Sequence, residues 1–157
     1  MTVSPAGPAL PAHDLDAAIA AMRSRGLRAS AARRIVLEAL FVASGPVSAE
    51  QIAAGVAGRV PAGDLASTYR NLETLEEIGL VRHVHLGHGP GRYTLAHRAG
   101  REYLLCERCS EVREVEPREL DEVRAAIHSA FGLEPTFSHF PIVGLCTTCK
   151  EERSDDG

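Results

Sequence analysis

The sequence has no segment that would carry the chain into or across a membrane. None of its apolar runs approaches the roughly 20 residues that a membrane-spanning helix needs. The N-terminus also lacks the basic and then apolar pattern of a secretory signal. We therefore expect a cytoplasmic protein without a membrane partner.

The common patterns of catalytic residues are missing too. The chain has no H-E-x-x-H pair of metal ligands, no phosphate-binding glycine loop, and no serine, histidine and aspartate in a triad order. These absences argue against an enzyme.

Cysteine is scarce, and the four cysteines present stand in two identical pairs. The pairs are Cys106-Glu-Arg-Cys109 and Cys146-Thr-Thr-Cys149, with 36 residues between them. Each pair can hold one side of a metal ion, and two pairs complete the tetrahedron that zinc prefers. Zinc is the default ion for four thiolates, and iron in the same cage is the alternative.

Disulfides and redox-active thiols compete with this interpretation. Disulfides suit secreted chains, and a redox pair normally lies where a strand runs into a helix. Residues 102–106 and 111–115 read as a hairpin around the first pair, and residues 140–145 read as a strand that ends at the second pair. We therefore expect both pairs at strand ends, where a metal would hold a small sheet together.

The acidic balance of the chain hides a basic segment. The net charge is −4, yet residues 17–37 contain five arginines and no acidic residue, whereas residues 87–157 contain 9 basic and 13 acidic side chains. A local basic face can bind the phosphates of nucleic acid while the acidic remainder limits indiscriminate binding. The alternative is an ordinary solvated helix face.

The first half of the chain has the element order of a winged helix. Apolar spacing and capping residues predict four helices followed by two strands around a glycine-rich turn, over residues 15–25, 31–43, 49–56, 65–78, 80–86 and 92–95. In a winged helix the last helix enters the major groove of DNA, and the hairpin follows the DNA backbone. The helix over 65–78 is therefore the expected recognition helix.

Side chains that suit DNA lie on this helix and on the basic segment. The exposed face of the helix is expected to carry Ser67, Thr68, Tyr69, Arg70 and Asn71. The residues expected to position the domain on phosphate are Arg23, Arg28 and Arg33, and Ser30 is a further candidate DNA-binding residue. The alternative is a polar helix with no partner, which is common on any protein surface.

The second half of the chain reads as strand, cysteine turn, strand, helix, strand and cysteine turn. The helix is expected over 118–131, with Leu120, Val123, Ile127 and Phe131 on one apolar stripe. A small three-stranded sheet leaves unpaired edges, and such an edge or the helix face offers a route to a homodimer.

The expected fold class is therefore α+β. An N-terminal winged-helix DNA-binding domain occupies 14–86, with its wing extending to about 95. A small α/β dimerisation domain, with a zinc site made by the four cysteines, occupies 87–150. A proline-rich tail over 1–13 and an acidic tail over 151–157 are expected to be disordered.

Taken in this order, the motifs resemble the ferric uptake regulator family of bacterial metal-responsive repressors, over residues 15 to 149. Gly26-Leu-Arg-Ala-Ser-Ala-Ala-Arg-Arg-Ile-Val-Leu-Glu-Ala-Leu40 is similar to the family's opening motif, with Ser30 where threonine is usual. Leu65-Ala-Ser-Thr-Tyr-Arg-Asn-Leu72 is similar to its recognition helix, with Ser67 and Thr68 in place of threonine and valine. The paired cysteines correspond to its structural zinc site, and Gly144-Leu-Cys146 matches the approach to the second pair.

The chain departs from the family at the usual site of the sensed metal. Family members carry histidines just ahead of the first cysteine pair, and here those positions hold Gly100, Arg101 and Tyr103. Pro46 occupies the position of the histidine that the family's DNA-binding domain contributes, and Thr94 occupies the position of the hinge glutamate. The resemblance therefore does not carry over the usual hinge site, the identity of the sensed metal or metal sensing itself.

Some members of the family hold a second metal within the dimerisation domain. By the spacing from the cysteines, this chain keeps Glu102 and Asp121 at the two acidic positions of that site. His139 lies one residue from the position of the histidine before the second cysteine pair, and His97 could replace the missing histidine ahead of the first pair. Two imidazoles and two carboxylates suit a divalent ion such as zinc, iron, manganese or nickel. The alternative is that His97 is a loop residue and His139 a strand residue with no ligand.

We therefore expect a homodimeric, sequence-specific DNA-binding repressor with a structural zinc, a modified effector site and metal-dependent DNA binding. The first alternative is a regulator of the same kind that has lost metal sensing and responds to oxidation of its thiolates or to another ligand. The alternative from a different class is a zinc-dependent oxidoreductase or metal-handling protein.

Overall fold

The computed structural model describes residues 10, 12–56, 58, 61–87, 89–98, 100–137 and 141–155, with the side chains of residues 154 and 155 excepted. The chain divides into two compact units. The first unit contains Met1–His85 and Pro90–Ala99, and the second contains Leu86–Gly89 and Gly100–Gly157.

Four capped helices form most of the first unit. They are α1 (Leu15–Ser24), α2 (Ala31–Val42), α3 (Ala49–Ala54) and α4 (Leu65–Glu77). Each begins after a residue whose side chain accepts a hydrogen bond from the first turn: Asp14, Ser30, Ser48 and Asp64. Ser48 and Gln51 form a reciprocal capping box, which satisfies two backbone N–H groups at the start of α3. These caps confirm the helix starts that the sequence predicts.

The core of the first unit lies between these helices and a small sheet. Its most deeply buried side chains are Met22, Leu37, Ile52, Leu72, Leu75, Leu80, Leu95 and Val81. They come from the apolar stripes of α1 to α4 and from the strands that follow them. The packing fixes α4 by one face and leaves its opposite face toward solvent.

The sheet of the first unit has one more strand than the sequence predicts. Strands β2 (Val81–Val84) and β3 (Arg92–Leu95) form the expected antiparallel hairpin. The short strand β1 (Val47–Ser48) pairs with the other edge of β3, which gives the order β1-β3-β2. Two residues are too few to show an alternating pattern, so this strand had no sequence signal.

The second unit is a small sheet with two helices. Its elements are β4 (Glu102–Cys106), β5 (Val112–Val115), a 3-10 turn (Pro117–Leu120), α5 (Asp121–Phe131), β6 (Ile142–Gly144) and α6 (Thr147–Asp155). The strand order is β5-β4-β6, with β4 antiparallel to β5 and parallel to β6. A fold of mixed helices and small sheets confirms the α+β class.

Both predicted tails are partly ordered. At the N-terminal end, the amide of Leu10 donates to the carbonyl of Gly79 at 3.0 Å, and Ala12 is buried in the core. Residues 1–9 and 11 of this predicted tail lie outside the described residues. At the C-terminal end, α6 continues to Asp155, so the prediction of disorder from residue 151 is wrong for 151–155. Arg108 explains this helix in part, because it binds the carbonyl of Cys149 and pairs with Glu152.

The apolar stripe of α5 is not covered within the unit. Of the four residues expected to be buried there, only Leu120 is buried, and it precedes the helix. Val123 is 41% exposed and Phe131 is 80% exposed.

No helix in the described part of the chain has the length and apolar character to span a membrane.

We expect the core side of α4 to dominate the stability of the first unit. Replacing the fully buried Leu72 by alanine should lower the free energy of unfolding by about 2–5 kcal/mol, because the site cannot collapse around the cavity. Leu65, on the same helix, is 41% exposed, so Leu65→Ala is the matched control and should cost less than about 1 kcal/mol. Urea unfolding followed by circular dichroism measures both, and equal losses would contradict this packing.

Candidate metal centre and nucleic-acid interface

The sulfur atoms of the four cysteines converge at one point of the second unit. All four lie within 4.8 Å of one another, and the sulfurs of Cys109 and Cys146 are 3.9 Å apart. Four sulfurs at about 2.3 Å from a zinc ion would lie about 3.8 Å from each other. A disulfide would need about 2.05 Å, and all four thiols are free. The geometry therefore fits a tetrahedral zinc site and not a disulfide.

Sheet register brings the two pairs together. Cys106 ends β4 and pairs with Gly144 of β6, so the chain after β6 returns to the first pair. Within the first pair the turn closes when the amide of Ser110 donates to the carbonyl of Cys106 at 2.9 Å. Ser110 adopts a left-handed conformation there, with φ of 62°. Across the pairs, the amide of Cys146 donates to the sulfur of Cys106 at 3.4 Å.

The second pair differs from the prediction in its local structure. It does not simply end a strand, because α6 begins at Thr147 and contains Cys149 within its first turn. The expectation that neither pair lies where a strand runs into a helix is therefore wrong for this pair. The helix had no sequence signal of its own, since its residues are polar and lack an apolar stripe.

The thiols of the cluster differ in how readily they lose a proton. Backbone N–H groups of Cys109 and Cys146 lower the pKa of the Cys106 thiol to about 6. The neighbouring Cys146 sulfur, together with burial, raises the pKa of Cys149 to about 12. Thiolates this close repel each other, and a divalent cation relieves that repulsion. The donor set thus favours a bound metal.

The expected recognition helix α4 presents fewer side chains to solvent than predicted. Arg70 is exposed, and Ser67 and Tyr69 are half-buried. Thr68 and Asn71 are buried, and the Thr68 hydroxyl donates to the carbonyl of Asp64 at 2.8 Å. Five consecutive residues cannot share one face of a helix with about 3.6 residues per turn, so the placement of Thr68 and Asn71 on the exposed face is wrong.

Tyr69 makes a contact that the sequence does not predict. Its hydroxyl donates to Glu50 Oε1 of α3 at 2.6 Å. This bond lowers the pKa of Glu50 and raises the pKa of Tyr69. Nothing in the sequence links two positions that are 19 residues apart. The contact fixes the direction of the Tyr69 ring at the surface.

The arginines of the basic segment have two roles. Arg23 and Arg28 are exposed, as is Ser30, which caps α2 by accepting from the amide of Arg33 at 3.3 Å. The Arg33 side chain is half-buried and donates to Asn71 Oδ1 at 3.2 Å and to the carbonyl of Arg28 at 2.8 Å. Arg33 therefore ties α2 to α4, while Arg23 and Arg28 remain directed at solvent.

Strand β2 leads into a pair of imidazoles that was not among the predicted site residues. His83 and His85 are alternate residues on one face, with ring centroids 4.6 Å apart. The His83 ring also stacks on Tyr93 at 4.8 Å, and Gly91 leaves room for it, since a Cβ there would lie 1.8 Å from His83 Nε2. Burial lowers the pKa of His83. The H-x-H spacing was the available signal.

The residues predicted to hold a second metal are only partly brought together. His97 belongs to the first unit, where its ring lies 5.2 Å from that of His13 and 6.5 Å from that of Phe41. His139 lies outside the described residues. Glu102 and Asp121 belong to the second unit, and both bind the guanidinium of Arg124. The second metal site stays a prediction, and Arg124 was missed because its spacing from Asp121 is that of an ordinary helix-surface pair.

The chain is similar to known transcriptional regulators over most of its length. The sequence profile of the ferric uptake regulator family matches residues 24–139. The peroxide-responsive repressor PerR of Staphylococcus epidermidis is 26% identical over 140 residues, which cover 89% of this chain and 93% of that protein.

Solved structures show the same fold. The ferric uptake regulator of Helicobacter pylori has a TM-score of 0.63 at 18% identity, covering 87% of this chain and 94% of that one. A zinc uptake regulator in complex with zinc and DNA has a TM-score of 0.53 at 23% identity, covering 89% and 95%. With its motifs, its fold and a family match over most of its residues, this chain belongs to the ferric uptake regulator family, whose members are transcriptional regulators and not enzymes.

Proposed function

We propose that this member of a family of metal-responsive transcriptional regulators is a homodimeric, sequence-specific repressor that binds operator DNA in the cytoplasm. The observation that carries the proposal is the surface of the first unit. A helix fixed by one buried face presents Tyr69 and Arg70, and the exposed Arg23 and Arg28 belong to the same unit. A zinc uptake regulator of the same fold is known in complex with zinc and DNA, which supports this use of the unit.

In the proposed complex, α4 lies in the major groove. Arg70 can donate two hydrogen bonds to a guanine edge, and the Tyr69 ring can contact a thymine methyl group. Glu50 holds the hydroxyl of Tyr69, so the ring meets the groove in one orientation. Arg23 and Arg28 contact phosphates, and so does the backbone near the exposed Ser30, which fixes the register without reading sequence.

The homodimer would form through the second unit. Helix α5 has no buried residue, and its exposed Val123 and Phe131 are joined in this unit by Leu133 at 60% and Val143 at 51% exposure. Solvent-exposed apolar side chains of this size are costly for a small unit, and a second copy would cover them. Two copies of the first unit would then read two half-sites of a palindrome.

Zinc at Cys106, Cys109, Cys146 and Cys149 would be structural. Among the described residues, the second unit buries little beyond Leu86, Tyr103, Val115, Leu120 and two of the cysteines. Bound zinc supplies a compact divalent charge that neutralises the thiolates and fixes their positions. The four cysteines then hold the β4–β5 turn against β6 and the start of α6.

The proposal includes metal-dependent DNA binding, and a regulator that answers to a different signal is the second candidate. The similarity to peroxide-responsive repressors favours the second candidate, as do Gly100, Arg101 and Tyr103 at the family's histidine positions. Operator affinity of zinc-loaded protein, measured with and without added Zn²⁺, Fe²⁺, Mn²⁺ or Ni²⁺ and again after peroxide, separates the two. A response to an ion supports metal sensing, and a response to peroxide alone supports the other candidate.

We predict that Cys106→Ser removes zinc, and that its loss either unfolds the second unit or dissociates the proposed homodimer. Zinc contributes roughly 10 kcal/mol or more in small metal-stabilised domains, which a unit with this small core cannot replace. Zinc content by mass spectrometry and dimer content by analytical ultracentrifugation measure the effect. Glu107→Ser, an exposed change in the same turn, is the control and should keep both the metal and the dimer. A folded, zinc-free dimer of Cys106→Ser would contradict a structural role.

We predict that Tyr69→Ala weakens operator binding by about 1–3 kcal/mol and relaxes specificity at one base pair, because it removes a base contact. Tyr69→Phe keeps the ring but loses the hydrogen bond to Glu50 that orients it, so it should cost less than Tyr69→Ala. Arg23→Ala should instead weaken all sequences alike and reduce the salt dependence by about one phosphate contact. Gel shifts on an A·T-rich palindrome across a salt series measure these effects. Wild-type affinity for Tyr69→Ala would place the recognition surface elsewhere.

A further inference from the structure

Glu102 carries the only buried charge among the described residues. The residue is 4% exposed, and every other acidic or basic residue in the described part of the chain is at least partly accessible. A carboxylate taken out of water is strongly destabilising unless a cation compensates it. The second unit must therefore supply a positive charge at this position on β4.

The guanidinium of Arg124 supplies that charge. Its Nη2 donates to Glu102 Oε1, and its Nη1 donates to the carbonyl of Pro117 at 2.7 Å and to Asp121 Oδ1 at 3.2 Å. The guanidinium carbon also lies 5.5 Å from the centre of the Phe137 ring. One cation on α5 thus connects β4, the 3-10 turn and the first turn of its own helix.

The same two carboxylates are those that the family resemblance offers to a second metal. A divalent ion would need their oxygens within about 2.2 Å of itself. Arg124 is bound to both, so an ion could enter only if the guanidinium left and lost its hydrogen bond to Pro117 as well. At the start of β4, Arg101 is likewise held by Glu114 and Glu116, which adds a second fixed positive charge to this strand.

We propose that the guanidinium of Arg124, a cation that belongs to the chain itself, takes the place of the second metal ion that Glu102 and Asp121 would otherwise bind in the second unit. It holds β4, the 3-10 turn and α5 together, so the unit reaches its ordered form without an ion on Glu102 and Asp121. The inference rests on the proposed function in one respect: it assigns the signal of this regulator to some other group than these two carboxylates.

The remaining oxygen of Glu102 gives the proposal a specific consequence. Glu102 Oε2 is buried and has no hydrogen-bond partner among the described residues. If Arg124 is removed, neither oxygen of the carboxylate keeps a hydrogen-bond partner among the described residues, and the buried charge needs another cation. Arg124→Met should therefore destabilise the protein and create a site for a divalent ion from Glu102 and Asp121.

A stability cycle on the zinc-loaded full chain tests the proposal. We expect Arg124→Met to lower the Tm by roughly 5–10 °C, given the cost of an unpaired buried charge. Glu102→Gln in the Arg124→Met background should recover most of this loss, because both charged partners are then gone. Added Mn²⁺ or Zn²⁺ should raise the Tm of Arg124→Met and not that of the wild type. Arg118→Met, an exposed change in the 3-10 turn, is the matched control and should behave as wild type.

Two outcomes would overturn the proposal. One is an Arg124→Met protein as stable as the wild type. The other is a wild-type protein that binds a divalent ion beyond its zinc, in equilibrium dialysis, and loses that ion in Glu102→Gln. An ion that survives Glu102→Gln binds elsewhere and agrees with the proposal. Because the cycle reads stability, a wild type that fails to bind any operator would count against the proposed function and leave this result standing.

Discussion

The mutual approach of four cysteine sulfurs is the constraint on which the second unit depends. The unit pairs three short strands and buries few apolar side chains, so its sheet alone supplies little stability. Bringing the sulfurs within 4.8 Å of each other places the β4–β5 turn, the end of β6 and the start of α6 at one point. In that position the neighbouring Cys146 sulfur, together with burial, raises the pKa of Cys149 to about 12, and thiolates held this close repel one another. A divalent ion such as zinc relieves this repulsion, and four thiolate sulfurs favour zinc or another soft or borderline metal.

In the first unit, the packing holds the polar helix α4 rigidly and leaves one part of its surface exposed to solvent. Leu72 and Leu75 anchor α4 in the core, and Asn71 binds Arg33 of α2. On the neighbouring side, Tyr69 binds Glu50 of α3. Contacts on both flanks restrict the helix, so a side chain such as Arg70 projects from a fixed base. A rigid base lets a short hydrogen-bond pattern discriminate between base pairs, because less ordering is needed when the complex forms.

The sequence predicted the parts of the fold that local signals determine. Ser48 and Gln51, or Asp64 ahead of an apolar stripe, mark helix starts through bonds within four residues, and the structure confirms these starts. The cysteine spacing likewise identified the candidate metal centre. The errors arose where tertiary contacts decide. Strand β1 exists because β3 offers it a partner, α6 is held in part by Arg108, and Thr68 is buried because Leu72 and Leu75 fix the rotation of α4. The contacts of Glu50 with Tyr69 and of Arg124 with Glu102 were overlooked for the same reason, because the partners are distant in sequence.

The two kinds of cation available to the second unit have different physical properties. A metal ion binds and leaves, so a site that uses one can report its concentration. A guanidinium is attached to the chain and stays charged at any physiological pH, so a site that uses one has a constant state. Glu102 and Asp121 share Arg124, and Glu114 and Glu116 share Arg101. The order that these arginines give to the unit does not vary with the supply of metal ions. In this proposal, only the cysteine cluster would depend on an ion that can exchange. In the proposed homodimer, a signal would then act on the cysteine cluster or on groups outside these arginine pairs.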